Sequence, residues 1–140
     1  MEGIDNRIYS LRESYGEVAY DTEHNLLFLS FQGNIEKENY KKLWDGLFEE
    51  IVARKCRKVI IDQTQIGKVS MEARAWLVIK WIPKLQREID SEAKVAVITA
   101  RSITNKLGAQ YLMGAVKKMS LLNIKAVNSL GEAQDWLYRA

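Results

Sequence analysis

The sequence of 140 residues contains few of the residue types that form disulfides and metal sites. Its one cysteine, Cys56, excludes a disulfide within the chain, and its one histidine, His24, leaves a Cys/His zinc cluster without enough ligands. The eight glycines are scattered, and neither GxGxxG nor GxxxxGK[ST] occurs, which argues against a dinucleotide-binding or P-loop site. We therefore expect no metal and no cofactor.

Long apolar runs and a strong excess of charge are also missing. The longest apolar runs, Leu26–Leu29 and Ala75–Ile79, are far shorter than the roughly 20 residues of a membrane-spanning helix. The 21 Lys and Arg exceed the 18 Asp and Glu by only 3, too little to indicate a nucleic-acid-binding protein. The first ten residues do not resemble a signal peptide. We expect a cytoplasmic protein that neither spans a membrane nor binds nucleic acid.

The residues that are present indicate one globular domain over residues 1–140. Apolar residues make up 47% of the chain and charged residues 28%. Two short apolar segments, Glu17–Asp21 and Leu26–Phe31, flank a polar turn and predict an antiparallel hairpin. Residues 1–14 are weakly patterned and predict either a frayed end or an extra edge strand.

The clearest helix follows the hairpin. Its apolar residues recur at helical spacing and form one stripe: Tyr40, Leu43, Trp44, Leu47, Phe48, Ile51 and Val52. A second helix is expected to begin at Ser70, a good N-cap residue, and to carry a core face of Ala73, Trp76, Leu77, Ile79, Ile82 and Leu85. Pro83 lacks the N–H that would bond the carbonyl of Ile79, so this helix should kink there.

The remaining elements complete an α/β fold. Lys58–Asp62, Val95–Ile98 and Ile124–Val127 read as strands, and Ser102–Met119 and Leu130–Tyr138 read as helices. The order ββαβαβαβα predicts a mixed sheet of four or five strands flanked by about four helices, with right-handed crossovers between the parallel strands.

Ligand and partner sites of such sheets gather beyond the carboxyl ends of the parallel strands. The polar residues expected there include Asp62, Gln63, Thr64, Arg101 and Ser102. A lone carboxylate such as Asp62 more often accepts hydrogen bonds from its own loop than acts as a cation ligand or a general base.

Neither residue that commonly completes a nucleophilic pair is well placed for catalysis. His24 falls on the predicted hairpin turn, away from the strand ends, and Cys56 precedes a buried strand as a packing residue would. An enzyme acting through Asp62 is therefore the weakest of the functional hypotheses.

Two tryptophans in the second helix call for separate explanations. Trp76 and Trp81 are five residues apart and cannot share one stripe of a straight α-helix. We expect Trp76 to join the core, whereas Trp81 belongs either to the core or to an interface or pocket. Trp81 and the breadth of the apolar run Ala75–Ile82 together exceed what one core stripe requires, so we predict a homodimer.

Three segments resemble the STAS superfamily of sulfate-transporter and anti-sigma-factor-antagonist domains. They are KVIIDQTQIGKVS, EARAWLVIKWIPKL and VAVITARSITNKLGAQYL, and the element order agrees as well. Within the superfamily, the sequence is most similar to the stage II sporulation protein AA-like branch, which is also described as STAS/CRAL-TRIO-like.

This resemblance implies a non-catalytic regulatory module that binds a protein partner through the loop Gln63–Ser70 and the helix start beyond it. The alternative that it implies is a carrier or sensor of a lipid or another small apolar ligand. We expect the kinked Trp81–Pro83 region to line the pocket of such a carrier. Phosphorylated members carry Asp-Ser-Ser/Thr-Gly at this helix start, where this sequence has Ser70 alone in KVSMEARAW. Ser70 is thus a candidate phosphorylation site, although helix capping explains it better.

Overall fold

A computed structural model describes residues 7–99 and 121–138. The strands are β1 (Arg7–Glu13), β2 (Gly16–Asp21), β3 (Leu26–Phe31), β4 (Lys58–Asp62), β5 (Ala93–Ile98) and β6 (Leu122–Val127). The helices are α1 (Lys37–Arg54), α2 (Met71–Trp76), α3 (Ile82–Glu88) and α4 (Leu130–Tyr138), and the π-helical turn Leu77–Trp81 joins α2 to α3. The helix predicted at Ser102–Met119 lies outside the described residues.

All six strands form one mixed sheet in the order β1-β2-β3-β4-β5-β6. The first three strands pair antiparallel, and β3 to β6 pair parallel. The predicted class is confirmed, but the prediction of four or five strands was one or two short. The additional strand is β1, which was one of two expectations for residues 1–14. It lies at the sheet edge, is largely exposed and changes register between Tyr9 and Leu11, so its apolar alternation is weak.

The sheet has two buried faces because side chains alternate along each strand. On the α1 face, Val59 and Ile61 pack with α1, α2 and α3 in the larger core. On the α4 face, Ile60 and Ala96 pack with Ala133 and Leu137 of α4. This division decides which polar residues of the strands lie on each side of the sheet.

Helix α1 confirms the predicted amphipathic helix over 18 residues. All of its predicted apolar stripe is buried except Val52, which is 37% exposed near the C-terminal end. The helix stops at Lys55, whose backbone is left-handed with φ 53°, and the Lys55 and Cys56 N–H groups bond the last carbonyls. In the part of the chain that the structure describes, no helix is long and apolar enough to cross a membrane.

The second predicted helix contains a π-helical turn, which the spacing of its apolar residues did not predict. The N–H of Ile82 bonds the carbonyl of Leu77, five residues earlier. The wider turn puts Leu77 and Ile82 on the same buried face. It also corrects the expectation for Ile79, which was assigned to the core but is 62% exposed. The predicted change of course therefore begins before Pro83, at a π bulge.

Candidate functional site

Asp62 ends β4 and caps its own loop. Its Oδ1 accepts the backbone N–H of Thr64 at 2.9 Å and the Thr64 hydroxyl at 2.6 Å. This arrangement is the local hydrogen bonding expected for such an aspartate. Only one of its two carboxylate oxygens is engaged in these bonds.

The two residues after Asp62 differ in exposure. Gln63 is 2% exposed, and its N–H donates to the carbonyl of Ile98 at 2.9 Å, which extends the pairing of β4 with β5. Thr64 is exposed at the start of the loop. Of this pair, only Thr64 presents its side chain at the surface.

The loop after β4 is fastened to the loop after β3. Gly33 and Gly67 exchange backbone hydrogen bonds with the opposite loop at 2.9 and 2.8 Å, and the Asn34 side chain accepts the Lys68 N–H at 2.7 Å. A Cβ at Gly67 would clash with the Asn34 side chain, so this close approach requires glycine. The double attachment fixes the position from which α2 begins.

Ser70 is the N-cap of α2, as predicted. Its hydroxyl accepts the Ala73 N–H at 3.1 Å. In the first turn of the helix, Glu72 forms an ion pair with Lys37 at the start of α1. This hydrogen bond raises the pKa of Lys37 and lowers that of Glu72. Both side chains are solvent-accessible, so the pair adds little stability but places opposite charges beside Ser70.

The cap predicts how Ser70 variants behave. We expect Ser70→Ala to lower the free energy of unfolding by roughly 0.5–2 kcal/mol because the Ala73 N–H loses its acceptor. We expect Ser70→Asp to keep wild-type stability, since aspartate caps equally well. Urea unfolding of both variants measures the difference. An alanine variant as stable as wild type would show that the hydroxyl is not a cap.

Two large apolar side chains lie at the surface of this helical region. Met71 is 68% exposed and Ile79 is 62% exposed. Met71, Ala75 and Ile79 recur every four residues, which places them on one side of the helix. We call Ser70, Met71 and Ile79 the α2 surface. Met71 was not proposed as a contact residue, and Ile79 was included only as part of the apolar run Ala75–Ile82 from which a homodimer was predicted.

The predicted site residues do not form a single surface. Ser70 begins a helix that packs on the α1 face, whereas Asp62 shares strand parity with Ile60 and lies on the α4 face. Asp62 lines a pocket there of about 100 Å³, together with Glu17, Phe28 and Ser30. Arg101 and Ser102 lie outside the described residues.

Trp81 is buried and belongs to the core. It is 4% exposed, and its Nε1 donates to the Trp44 carbonyl at 2.7 Å. It also lines a cavity of about 30 Å³ that has an entirely apolar lining, including Leu85 and Val97. The sequence left core and interface open for Trp81, and the structure places it in the core. Of the two features that predicted a homodimer, the apolar run Ala75–Ile82, with Ile79 at the surface, is the one that is left.

Other reactive side chains lie away from Asp62. His24 is on the turn between β2 and β3, where its Nδ1 is 3.0 Å from an Asp21 oxygen and its ring stacks on Tyr138 at 5.1 Å. Cys56 is buried before β4, and burial raises the pKa of its thiol. Within residues 7–99 and 121–138, no three His, Cys, Asp or Glu side chains are grouped to hold a metal ion.

Comparison with known proteins identifies the fold. No protein-family model and no curated protein matches the chain. An uncharacterized protein of the DUF3478 family from Shewanella loihica PV-4, described as having a SpoIIAA-like fold, superposes with a TM-score of 0.55 and 19% sequence identity. The match covers 98% of each chain. The chain therefore has the SpoIIAA-like fold expected from its sequence.

Proposed function

We propose that this protein is a non-catalytic regulatory module that binds a protein partner through the α2 surface. The observation that carries the proposal is the exposure of Met71 at 68% and Ile79 at 62% on a helix whose opposite side is core. Methionine is enriched at protein interfaces. The loop attachment at Gly33 and Gly67 holds this surface in a fixed position, so a partner meets a preformed site.

The polar residues around these side chains suit the rim of an interface. Ser70 and the Lys37–Glu72 pair lie at the beginning of α2, beside Met71. Rim charges contribute to association rate and orientation more than to affinity. Met71 and Ile79 are thus the residues expected to supply binding energy in this interface.

The non-catalytic character is supported by the layout of the reactive groups. Asp62 lies at the carboxyl end of β4, whereas His24 and Cys56 lie near the opposite end of the same strands. A general base or nucleophile must lie within hydrogen-bond reach of its partner group. An enzyme using Asp62 stays the weakest hypothesis.

The decisive experiment compares partner capture by two surface variants. The tagged protein, purified without denaturation, is used to capture proteins from a lysate of its own organism. The retained protein is identified by mass spectrometry and its affinity measured with purified components. We expect Met71→Lys combined with Ile79→Lys to weaken this affinity at least about tenfold, because two anchoring side chains are lost.

The matched control is Ile8→Lys, which places the same charge on an apolar residue that is 48% exposed on β1. This variant should bind like wild type, and all variants should keep the wild-type thermal midpoint. Equal binding by the double variant and wild type would refute the α2 surface as the interface. If the retained mass is that of a second copy, the partner is the chain itself and the predicted homodimer is correct.

An apolar ligand is the second candidate function, favoured by the wholly apolar lining of the cavity beside Trp81. Its volume of about 30 Å³ holds roughly one water molecule, against about 300–1,000 Å³ for typical ligand pockets. A lipid would therefore need α3 to move away from the sheet. Native mass spectrometry of the same preparation distinguishes the candidates, since a co-purifying apolar mass supports the carrier and a ligand-free mass contradicts it.

A further inference from the structure

We propose that the partner bound by the α2 surface is acidic, and that it presents an amphipathic segment with Asp and Glu side chains to the helices α2 and α3. This inference rests on the proposed function and adds the chemistry of the partner. The helical segment Ala73–Arg87, which we call the basic segment, carries four basic residues and no Asp or Glu: Arg74, Lys80, Lys84 and Arg87. Four basic residues without an acidic one give it a charge of +4, which exceeds the +3 of the whole chain.

Two cations of the basic segment are available to a partner. Lys80 and Arg87 are exposed, and neither makes a hydrogen bond, an ion pair or a ring contact in the part of the chain that the structure describes. They are seven residues apart, which is about two turns of helix, so they lie on the same side of it. Acidic side chains of a partner would supply the charge that these two cations lack.

The neighbouring charges do not neutralise Lys80 and Arg87. Lys84 lies between them and turns toward α1, where its Nζ is 4.3 Å from the centre of the Phe48 ring. Burial raises the pKa of Asp45 on α1, and the charge of Lys84 opposes this rise, so these two groups balance one another. The next acidic residue along the chain is Glu88, which is exposed about 100° around the helix from Arg87.

The two cations continue the line of the exposed apolar side chains. Lys80 directly follows Ile79, and Arg87 is eight residues beyond it. Met71 precedes Ile79 by eight residues, so apolar contacts occupy about the first 12 Å along the helices and basic contacts about the next 12 Å. A partner helix of about 16 residues, apolar at one end and acidic at the other, would match this length and order.

The outward apolar side chains favour a protein partner over an anionic lipid surface. A helix that binds a membrane buries its whole apolar face about 5–10 Å into the headgroup region. In the basic segment that face, which includes Leu77, Trp81 and Leu85, is buried in the core. Among the large apolar side chains of α2, the π-helical turn and α3, only Met71 and Ile79 are exposed. Two separated anchors suit a partner with matching pockets.

The test measures how fast two synthetic amphipathic helices associate with the intact protein. Both peptides consist of leucine, alanine and one polar residue, which is glutamate in the first peptide and glutamine in the second. We expect the glutamate peptide to associate at least about tenfold faster at low salt, because opposite charges steer the encounter. The difference should disappear near about 1 M salt, where the Debye length is about 3 Å. Equal rates at low salt, or no binding of either peptide, would overturn the proposal.

The deciding variant is Lys80→Gln combined with Arg87→Gln, which removes two exposed charges and no described contact. We expect it to slow association of the glutamate peptide about tenfold and to keep the wild-type thermal midpoint. The control is Lys94→Gln combined with Lys125→Gln. Both lysines lie on the α4 face with Ala96, Lys94 by strand parity and Lys125 as its paired residue. An equal loss in both variants would show an effect of net charge alone and would refute the basic segment as the contact.

A third variant separates this inference from the proposed function. Met71→Ala combined with Ile79→Ala removes the apolar side chains without adding charge to a basic surface. If it weakens binding of the captured protein while Lys80→Gln with Arg87→Gln does not, the α2 surface stands and the acidic partner is refuted. If it leaves that binding unchanged, the proposed function fails and the inference fails with it. Vesicles of equal parts phosphatidylcholine and phosphatidylserine that bind wild type but not the charge variant would assign the basic segment to a membrane and refute a protein partner.

Discussion

Replacing Trp81 with alanine should lower the free energy of unfolding by about 3–5 kcal/mol, the range for truncating a buried aromatic side chain. The indole packs edge-on against Trp44 with ring centres 4.9 Å apart and against Phe48 at 6.4 Å. It also donates to the Trp44 carbonyl at 2.7 Å. Alanine would lose these contacts and enlarge the cavity that Trp81 already borders.

The control for this prediction is Trp81→Phe, which keeps an aromatic ring but removes the donor. It should cost less than alanine, by losing a hydrogen bond of about 0.5–1.5 kcal/mol and a part of the packing. Urea unfolding followed by circular dichroism measures both variants. If Trp81→Ala stayed within about 0.5 kcal/mol of wild type, as surface substitutions do, the indole could not be a core residue.

Replacing Gly16 with alanine should have the second-largest effect, a loss of about 1–3 kcal/mol or more. A Cβ at Gly16 would lie 2.7 Å from a Leu43 methyl carbon and closer still to the carbonyl oxygen of Ser30. The Ser30 oxygen belongs to the backbone of β3, directly beside β2 in the sheet. It cannot move aside without disturbing the pairing of the two strands.

Gly46→Ala on α1 is the matched control for Gly16→Ala and should have the opposite sign. Its Cβ would meet the Leu11 side chain at 3.2 Å, and Leu11 is half-buried on the edge strand, where it has room to shift. Alanine within a helix then gains about 0.5–1 kcal/mol over glycine. Equal stability of the two variants in thermal unfolding would contradict the close approach at Gly16.

The regular elements were predictable because their patterns are strong. The apolar stripe of α1, the β-branched run Lys58–Asp62 and the helix Leu130–Tyr138 each agree with the structure. The hairpin of Glu17–Asp21 and Leu26–Phe31 was also predicted correctly, because a polar turn separates two apolar segments. Edge strand β1 gave a weaker signal, because an exposed strand with a register shift alternates poorly.

The π-helical turn was not predictable from spacing alone. The only irregularity expected in this helix was the kink at Pro83, and Ile79 was grouped with the core residues that precede it. The wider turn instead buries Leu77 and Ile82 together and leaves Ile79 exposed. Tertiary packing determines where such a turn forms, and no residue type in the sequence predicts its position.

The placement of Asp62 and Ser70 on opposite faces of the sheet could have been predicted from the sequence, but it was not. Asp62 has the same strand parity as Ile60, so its side chain had to share the Ile60 face. Grouping both residues at one strand end ignored this alternation. The pocket residues Glu17 and Ser30 follow from the same parity once the strand pairing is known.

The strand order has a consequence for how the chain folds. Because the strands lie side by side in the order of their synthesis, none has to insert between two that are already paired. The sheet can grow from the β2–β3 hairpin. When each further strand pairs with the sheet, the only loop that closes is the crossover connecting it to the strand before it. The entropy lost in closing a loop rises slowly with its length, and topologies dominated by near-neighbour contacts fold faster. The β2–β3 hairpin can therefore act as a template while later strands are still leaving the ribosome.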